Sequence, residues 1–219
     1  MRWKHPTQGL IMPSEFIKIA EDSNLIIPID CYVLREACLQ IRRWEKTYPG
    51  VRDWMIHVNL SSKHFIQPNL VETIRGIIQE TGFDATRVNI EITESAIMEN
   101  IELATLTTQH LRDYGVHIGI DDFGTGYASL KYLTRFPVDI LKLDQSFVAR
   151  IMTDKNTREI IDTVVKLAGK LGINVIAEGV ESNDQISILL ELGCKFGQGY
   201  LFSRPIDRDA VAKMASRLL

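Results

Sequence analysis

The chain has 219 residues, of which 45% are hydrophobic and 24% are charged, and its formal net charge is -3. This length and apolar content suffice for one globular domain with a buried core, and α/β barrels of this size are commonly single domains. The slightly acidic balance excludes a broad electrostatic footprint for DNA or RNA or for anionic lipid, so a phosphate ligand must be held by local groups or by metal ions. We expect residues 1–219 to form one domain.

The cysteines and the first residues bear on the compartment. Cys31, Cys38 and Cys194 are odd in number and show no C-x-x-C spacing, which is typical of free thiols in a reducing compartment. The start of the chain lacks the apolar core of a signal peptide, and no later run approaches the ~18 apolar residues of a membrane span. We expect a cytoplasmic protein with no membrane contact from this segment.

In chain order, the hydrophobic pattern predicts helices first and then an alternation of strands and helices. Residues 2–6 resemble the outgoing end of a strand, and helices follow over Glu15–Asp22 and Asp30–Lys46. The predicted strands are Trp54–Leu60, Val88–Thr93, Val116–Asp121, Val138–Lys142, Ile173–Glu178 and Lys195–Phe202. The helices between and after them are Asn69–Thr81, Ile101–Tyr114, Ala128–Phe136, Thr157–Leu171, Asn183–Leu192 and Asp207–Leu218. Repeated strand, helix, strand order indicates an α/β fold with a parallel sheet.

The segment Asp121–Leu130 places two adjacent carboxylates where a short apolar strand ends and a glycine-containing loop begins. A single Asp here is explained as the cap of the following helix. Two carboxylates in succession repel each other, and a divalent cation is the commonest remedy. The two glycines that follow allow the backbone to approach a ligand closely. The segment therefore indicates a metal or ligand site.

Five predicted strands carry a polar residue near their carboxyl ends, on the face opposite the apolar side chains. These residues are Asn59, Glu91, Asp121, Lys142 and Glu178. A solvated strand end explains any one of them. A barrel, however, gathers the carboxyl ends of its strands around one mouth, and charges buried there must be paired or bind metal. The five together indicate a functional site.

Six ordered segments resemble successive motifs of the EAL domain, the family of bacterial cyclic di-GMP phosphodiesterases. They are Val58–Ser62, Glu91–Ser95, Asp121–Leu130, Leu141–Asp144, Ala177–Glu181 and Gly197–Phe202. The resemblance extends from Arg2 to about Arg208. It implies a modified (β/α)8 barrel of the TIM type in which one strand runs against the others.

The resemblance also implies a two-metal site. Asn59, Glu91 and Asp121 would hold one Mg²⁺ or Mn²⁺, and Asp121 would bridge to a second ion held by Asp122. Oxygen ligands of this type suit hard cations. Lys142 would orient the attacking water or help to deprotonate it. The residues alone leave open that Lys142 is a paired structural cation.

The other implied roles concern water, ligand and dimer contact. Glu178 would hold metal-bound water, and Glu181 would support the side of the second metal. Gln198 would lie beside the ligand, and Arg2 would hold a phosphate oxygen with its guanidinium group. The last supporting residue, Glu94, would anchor the loop over residues 123–129, and that loop with its neighbouring helix would form a homodimer contact. The domain would be part of a larger sensory protein.

The implied reaction is hydrolysis of one 3′,5′-phosphodiester bond of cyclic di-GMP, which yields the linear dinucleotide by a two-metal mechanism. The family pattern Glu-Ala-Leu-Leu-Arg-Trp has only Met1-Arg2-Trp3 as its counterpart here, so we expect the domain to be truncated before the signature Glu and to lack the first strands. The alternative is a cyclic di-GMP-binding module with weak or no catalysis. A purely structural dimerisation piece leaves the polar strand ends unexplained.

Overall fold

The computed structural model describes residues 1–124, 133 and 136–216. The strands are β1 (Trp3–His5), β2 (Gly9–Ile11), β3 (Ile56–Asn59), β4 (Val88–Thr93), β5 (His117–Phe123), β6 (Ile140–Leu143), β7 (Asn174–Glu178) and β8 (Phe196–Gln198). The helices are α1 (Pro13–Asp22), α2 (Ile26–Glu45), α3 (Ser62–Phe65), α4 (Leu70–Thr81), α5 (Glu94–Glu99), α6 (Ile101–Asp113), α7 (Gln145–Arg150), α8 (Lys155–Leu171), α9 (Asn183–Glu191) and α10 (Arg208–Ala215).

The strands form one large parallel sheet and one small hairpin. β1 and β2 pair antiparallel, whereas β3 to β8 are all parallel and lie side by side in their order along the chain. In a doubly wound sheet the strand order reverses at one point, whereas in a barrel each new strand is added beside the previous one in the same direction. The order of β3 to β8 has no reversal, so the sheet is of the barrel type. The predicted α/β class is confirmed. The strand expected to run against the others is not among the six described strands of this sheet.

Most element boundaries agree with prediction, and the differences have local causes. The prediction for Val88–Thr93 is confirmed to the residue. The last strand, predicted to reach Phe202, ends at Gln198 because the chain turns at Gly199, where the Phe202 N–H donates to the Gly199 carbonyl at 3.1 Å. Helix α2 begins earlier than predicted and contains Pro28 in its first turn, where a missing N–H costs no intrahelical hydrogen bond.

Other elements were missed or lie outside the description. Residues 2–6 were predicted as a strand end, and Trp3–His5 is a strand that pairs with Gly9–Ile11, which the sequence did not indicate. The short helices α3, α5 and α7, each of four to six residues, were also missed because one turn carries too little hydrophobic periodicity to detect. The predicted helix Ala128–Phe136 lies almost entirely outside the described residues.

The apolar faces of the strands and helices form the core. Ile90, Ile92 and Ile118 on the central strands are fully buried, and Leu111 on α6 packs with them in the same cluster. The three cysteines are free thiols, as predicted. Within the described part of the chain, no helix combines the length and apolar character needed to cross a membrane.

Truncation of a core leucine tests this packing. We expect Leu111→Ala to lower the free energy of unfolding by about 2–5 kcal/mol, because it removes buried apolar surface and leaves a cavity. Leu106→Ala on the same helix is the control, since Leu106 is 60% exposed and Leu111 0% exposed. The control should change stability by less than about 0.5 kcal/mol in urea denaturation. Equal losses in the two variants would contradict the packing of α6.

Candidate metal centre

The centre of the site is the ammonium group of Lys142, which projects from β6 among carboxylates of three neighbouring strands. Its Nζ lies 2.9 Å from Glu91 Oε2, 2.9 Å from Asp121 Oδ1 and 2.8 Å from Glu178 Oε1. An ammonium group has three N–H donors, so these contacts use its full donor capacity. The structure thus brings together four of the five polar strand ends that the sequence singled out.

The ionisation of this cluster follows from the contacts. Burial alone lowers the pKa of Lys142, but the charge of Glu91 and hydrogen bonds to all three carboxylates outweigh burial and raise that pKa above its ordinary value. Burial likewise raises the pKa of Glu91, but a hydrogen bond from His57 and the charge of Lys142 outweigh it, so the pKa lies below its ordinary value. Lys142 and Glu91 are therefore a charged pair.

A β-bulge brings Asp121 and Asp122 to the same side of the sheet. In the register between β5 and β6, Ile120 lies beside Leu141 and Phe123 lies beside Leu143, so two residues on β5 oppose Lys142 alone on β6. Asp122 takes up the extra residue with φ of 54°, in the left-handed region that Asp tolerates better than most residues. In a regular strand the two carboxylates would point to opposite faces.

The bulge creates a cluster of oxygen donors that suits a divalent cation. One carboxylate oxygen each from Asp121, Asp122 and Glu178 lies within 4.8 Å of the other two. Burial and the negative charge of Asp121 raise the pKa of Asp122, and burial also raises the pKa of Glu178 despite its contact with Lys142. Carboxylates held this close repel one another, and hard cations such as Mg²⁺ and Mn²⁺ relieve that repulsion. The donor set therefore fits the predicted metals.

The first strand of the large sheet places Asn59 beside Glu91, one of the carboxylates that contact Lys142. Asn59 lies beside Glu91 in the register of β3 and β4, and both residues line a cleft of about 560 Å³. Arg2 lines the same cleft, so the structure places the predicted phosphate-binding residue near the predicted metal ligands. Gly119 is the neighbour of Glu91 on β5, and a Cβ there would lie 2.9 Å from Asn89 Nδ2. Glycine at this position leaves room for the inward side chains of β4.

The remaining predicted site residues lie around the cluster rather than in it. Glu94 is buried, and its Oε2 accepts a hydrogen bond from the Gly124 N–H at 3.1 Å, at the start of the predicted loop. The rest of that loop, from residue 125 onward, is outside the described residues. Gln198 lies beside Glu178 on the edge strand β8, and it lines a different cavity from the one that contains Arg2. Glu181 is exposed, and its N–H donates to Gln185 Oε1 at 2.7 Å.

Two residues that support the site are not among those predicted from the sequence. His57 Nδ1 lies 2.9 Å from Glu91 Oε1, and its position two residues before Asn59 could have placed it on the same face of β3. Asp30 on α2 accepts hydrogen bonds from the Ser61 N–H at 3.1 Å and the Ser61 hydroxyl at 2.9 Å, which fixes the turn that follows Asn59. No sequence signal connects Asp30 with a segment thirty residues away.

These features define a barrel-type α/β domain with a carboxylate cluster at the carboxyl ends of its parallel strands. The EAL domain family model matches residues 1–205, and the chain belongs to this family. It is 41% identical over 211 residues to the cyclic di-GMP phosphodiesterase NbdA of Pseudomonas aeruginosa, a match that covers 96% of this chain and 27% of NbdA. The chain thus spans about a quarter of that relative's length.

Solved structures agree with this assignment. The MucR phosphodiesterase of Pseudomonas aeruginosa in complex with c-di-GMP has a TM-score of 0.89 and 38% identity, and the match covers 96% of this chain and 84% of that one. The manganese/c-di-GMP complex of BlrP1 from Klebsiella pneumoniae has a TM-score of 0.79 and 29% identity, over 92% of this chain and 50% of that one. The predicted barrel-type fold of the family is confirmed.

Removal of the central ammonium tests the electrostatics of the cluster. In a buffer with EDTA, we expect Lys142→Met to lower the free energy of unfolding by about 3–5 kcal/mol, because it leaves buried carboxylates without their cation. Lys166→Met is the matched control, since the Lys166 side chain is 68% exposed and its ammonium pairs with Asp162 on the helix surface. That change should cost at most about 1 kcal/mol. A loss no larger for Lys142→Met than for the control would show that the cluster does not depend on Lys142.

Proposed function

We propose that this chain is a cyclic di-GMP phosphodiesterase domain that hydrolyses one 3′,5′-phosphodiester bond and releases the linear dinucleotide. The observation that carries the proposal is the cluster of Asp121, Asp122 and Glu178 oxygens, two of whose members contact the Lys142 ammonium. It lies at the carboxyl ends of the strands, where barrel enzymes have their active sites. Membership in the EAL family and the similarity to NbdA and MucR support the choice of substrate.

The metal ions are proposed to be Mg²⁺ or Mn²⁺, held by Asn59, Glu91, Asp121 and Asp122. The side chains of these residues offer oxygen donors, which hard cations prefer. The manganese in the BlrP1 complex also supports this choice. Such ions supply Lewis acidity that activates water and neutralises charge on the phosphate oxygens. Glu178 belongs to the same donor cluster and is proposed to ligate metal directly or through water.

The other side chains are proposed to bind and orient. All three N–H donors of the Lys142 ammonium contact carboxylates, so it would orient a water molecule only when a carboxylate binds metal instead and leaves one N–H free. Its raised pKa makes it a poor group to remove the proton of that water. Arg2 is proposed to donate to a phosphate oxygen in the cleft beside Asn59, and Gln198 to contact the ligand from the opposite edge of the sheet. Glu94 is proposed to anchor the loop that follows β5, and Glu181 to support the side of the second metal.

The setting of the domain is also a proposal. We propose that it acts in the cytoplasm and within a larger sensory protein. Its match to only 27% of NbdA supports the second part of this proposal. A homodimer through the loop after Asp122 and its neighbouring helix remains a prediction, because residues 125–132 lie outside the description.

Asp121 is the residue whose replacement separates a metal site from an ordinary acidic surface. We expect Asp121→Asn to abolish measurable Mn²⁺ binding in calorimetric titration and to lower c-di-GMP hydrolysis by orders of magnitude, because a neutral amide cannot bridge two cations. Asp209→Asn is the control, since the Asp209 side chain is 87% exposed. Unchanged Mn²⁺ affinity in Asp121→Asn would remove the metal site from the proposal.

A second candidate is a c-di-GMP-binding module without turnover. It is favoured by the contacts of Lys142, which occupy an oxygen of each of Glu91, Asp121 and Glu178 and so compete with a metal for those carboxylates. Binding and hydrolysis are to be measured on the same preparation over a titration of Mn²⁺. We expect hydrolysis to rise with Mn²⁺, because Glu91, Asp121 and Glu178 would then bind metal in place of part of their contacts with Lys142. Saturable binding without product at any Mn²⁺ concentration would support the second candidate.

A further inference from the structure

On the inward face of β3, His57 lies two residues before the predicted metal ligand Asn59. His57 lies beside Asn89 in the register of β3 and β4, and Asn59 lies beside Glu91. Two residues apart on one strand, His57 and Asn59 share a face, so Glu91 is the diagonal neighbour of His57. Diagonal neighbours are within reach of a long side chain, and His57 Nδ1 lies 2.9 Å from Glu91 Oε1.

The two oxygens of Glu91 are held from opposite sides. Nδ1 of His57 contacts Oε1, and Nζ of Lys142 contacts Oε2 at 2.9 Å. Glu91 is only 4% exposed, whereas the side chain of His57 is 35% exposed. Removal of the histidine donor would therefore leave a buried carboxylate oxygen with fewer partners and a side chain free to rotate about Lys142.

The hydrogen-bond chemistry fixes the tautomer of the ring. Glu91 in contact with Lys142 is an acceptor, so Nδ1 of His57 must carry the hydrogen that lies between them. The side-chain amide of Asn89 lies behind this contact, with Nδ2 at 3.1 Å from Nδ1 and with Oδ1 buried and without a partner among the described residues. A half-turn of the amide brings Oδ1 beside the Nδ1–H, which Oδ1 can then share with Glu91 in a bifurcated hydrogen bond.

We propose that His57 is a positioning residue of the metal centre, whose Nδ1–H holds Glu91 in the orientation that presents it to a cation and thereby raises the affinity for Mn²⁺. The proposal rests on the proposed function in one respect, namely that Glu91 is a metal ligand. Outer donors that orient a ligating side chain have this effect in metalloproteins, and their loss typically costs about 10- to 100-fold in metal affinity. Of the residues named as site residues from the sequence, none has this role.

The test is calorimetric titration of the chain with MnCl₂, and it needs no turnover. Leucine is similar in size to histidine but has no hydrogen-bond donor. We expect His57→Leu to weaken Mn²⁺ binding by about 10- to 100-fold. His57→Asn is the matched control, because the Nδ2 of an asparagine can occupy the place of the histidine Nδ1 and donate to Glu91. Its affinity should stay close to that of the unchanged chain, which a purely structural role of the ring would not predict.

Glu91→Gln and the double variant His57→Leu/Glu91→Gln separate the two proposals. We expect Glu91→Gln to weaken Mn²⁺ binding, and we expect His57→Leu to cause no further loss in that background, because His57 acts through Glu91. If Glu91→Gln binds Mn²⁺ as tightly as the unchanged chain, Glu91 is not a ligand, and both that assignment in the proposed function and the positioning role of His57 are overturned. If Glu91→Gln weakens binding while His57→Leu alone does not, or if His57→Asn loses as much as His57→Leu, the positioning role alone is overturned.

Discussion

The buried ammonium of Lys142 is the interaction on which the rest of the site depends. It reaches carboxylates on β4, β5 and β7 from β6 and so ties four adjacent strands together at one edge of the sheet. None of these carboxylates could be buried alone, since an unpaired charge in a protein interior costs several kcal/mol. Lys142 offsets the cost of burying these carboxylates. They lie close together because the strands are parallel, so that all the carboxyl ends lie on the same side of the sheet.

The charges at this edge do not balance. Three carboxylates face one ammonium, which leaves a net charge of -2 before Asp122 is counted. Asp122 adds a further negative group within 4.8 Å of Asp121 and Glu178. An excess of negative charge in a partly buried place attracts divalent cations, and this demand is a physical reason for a metal centre that does not depend on family membership.

The site is buried at its centre and exposed at its sides. Glu91 and Lys142 are buried on the central strands, whereas Asn59 on β3 and Gln198 on β8 are exposed on the two outermost strands. The proposed ligand, a cyclic dinucleotide, is much larger than a cation. The exposed groups on the two outermost strands would suit contacts to it, and the buried groups between them would suit contacts to metal and water. The cleft shared by Arg2, His57 and Asn59 joins these two regions.

Much of this arrangement could be predicted from the sequence. Strand β4 has its predicted bounds because period-two alternation is a local property, and the parallel order follows from the alternation of strands and helices. The same alternation identified Glu91, Asp121, Lys142 and Glu178 as inward strand ends, and the order of motifs indicated the family. These features are encoded by neighbours in the chain, so a linear pattern is enough to find them.

Tertiary structure alone decided which of these groups touch and how. The bulge that turns Asp122 toward Asp121 arises from the register of β5 against β6, and register is a relation between strands that no single segment contains. The contacts of His57 with Glu91 and of Asp30 with Ser61 likewise join residues more than thirty positions apart. The sequence determined which side chains face inward, because that depends on local periodicity. Packing decided their partners, because a partner is set by the three-dimensional neighbourhood of a strand.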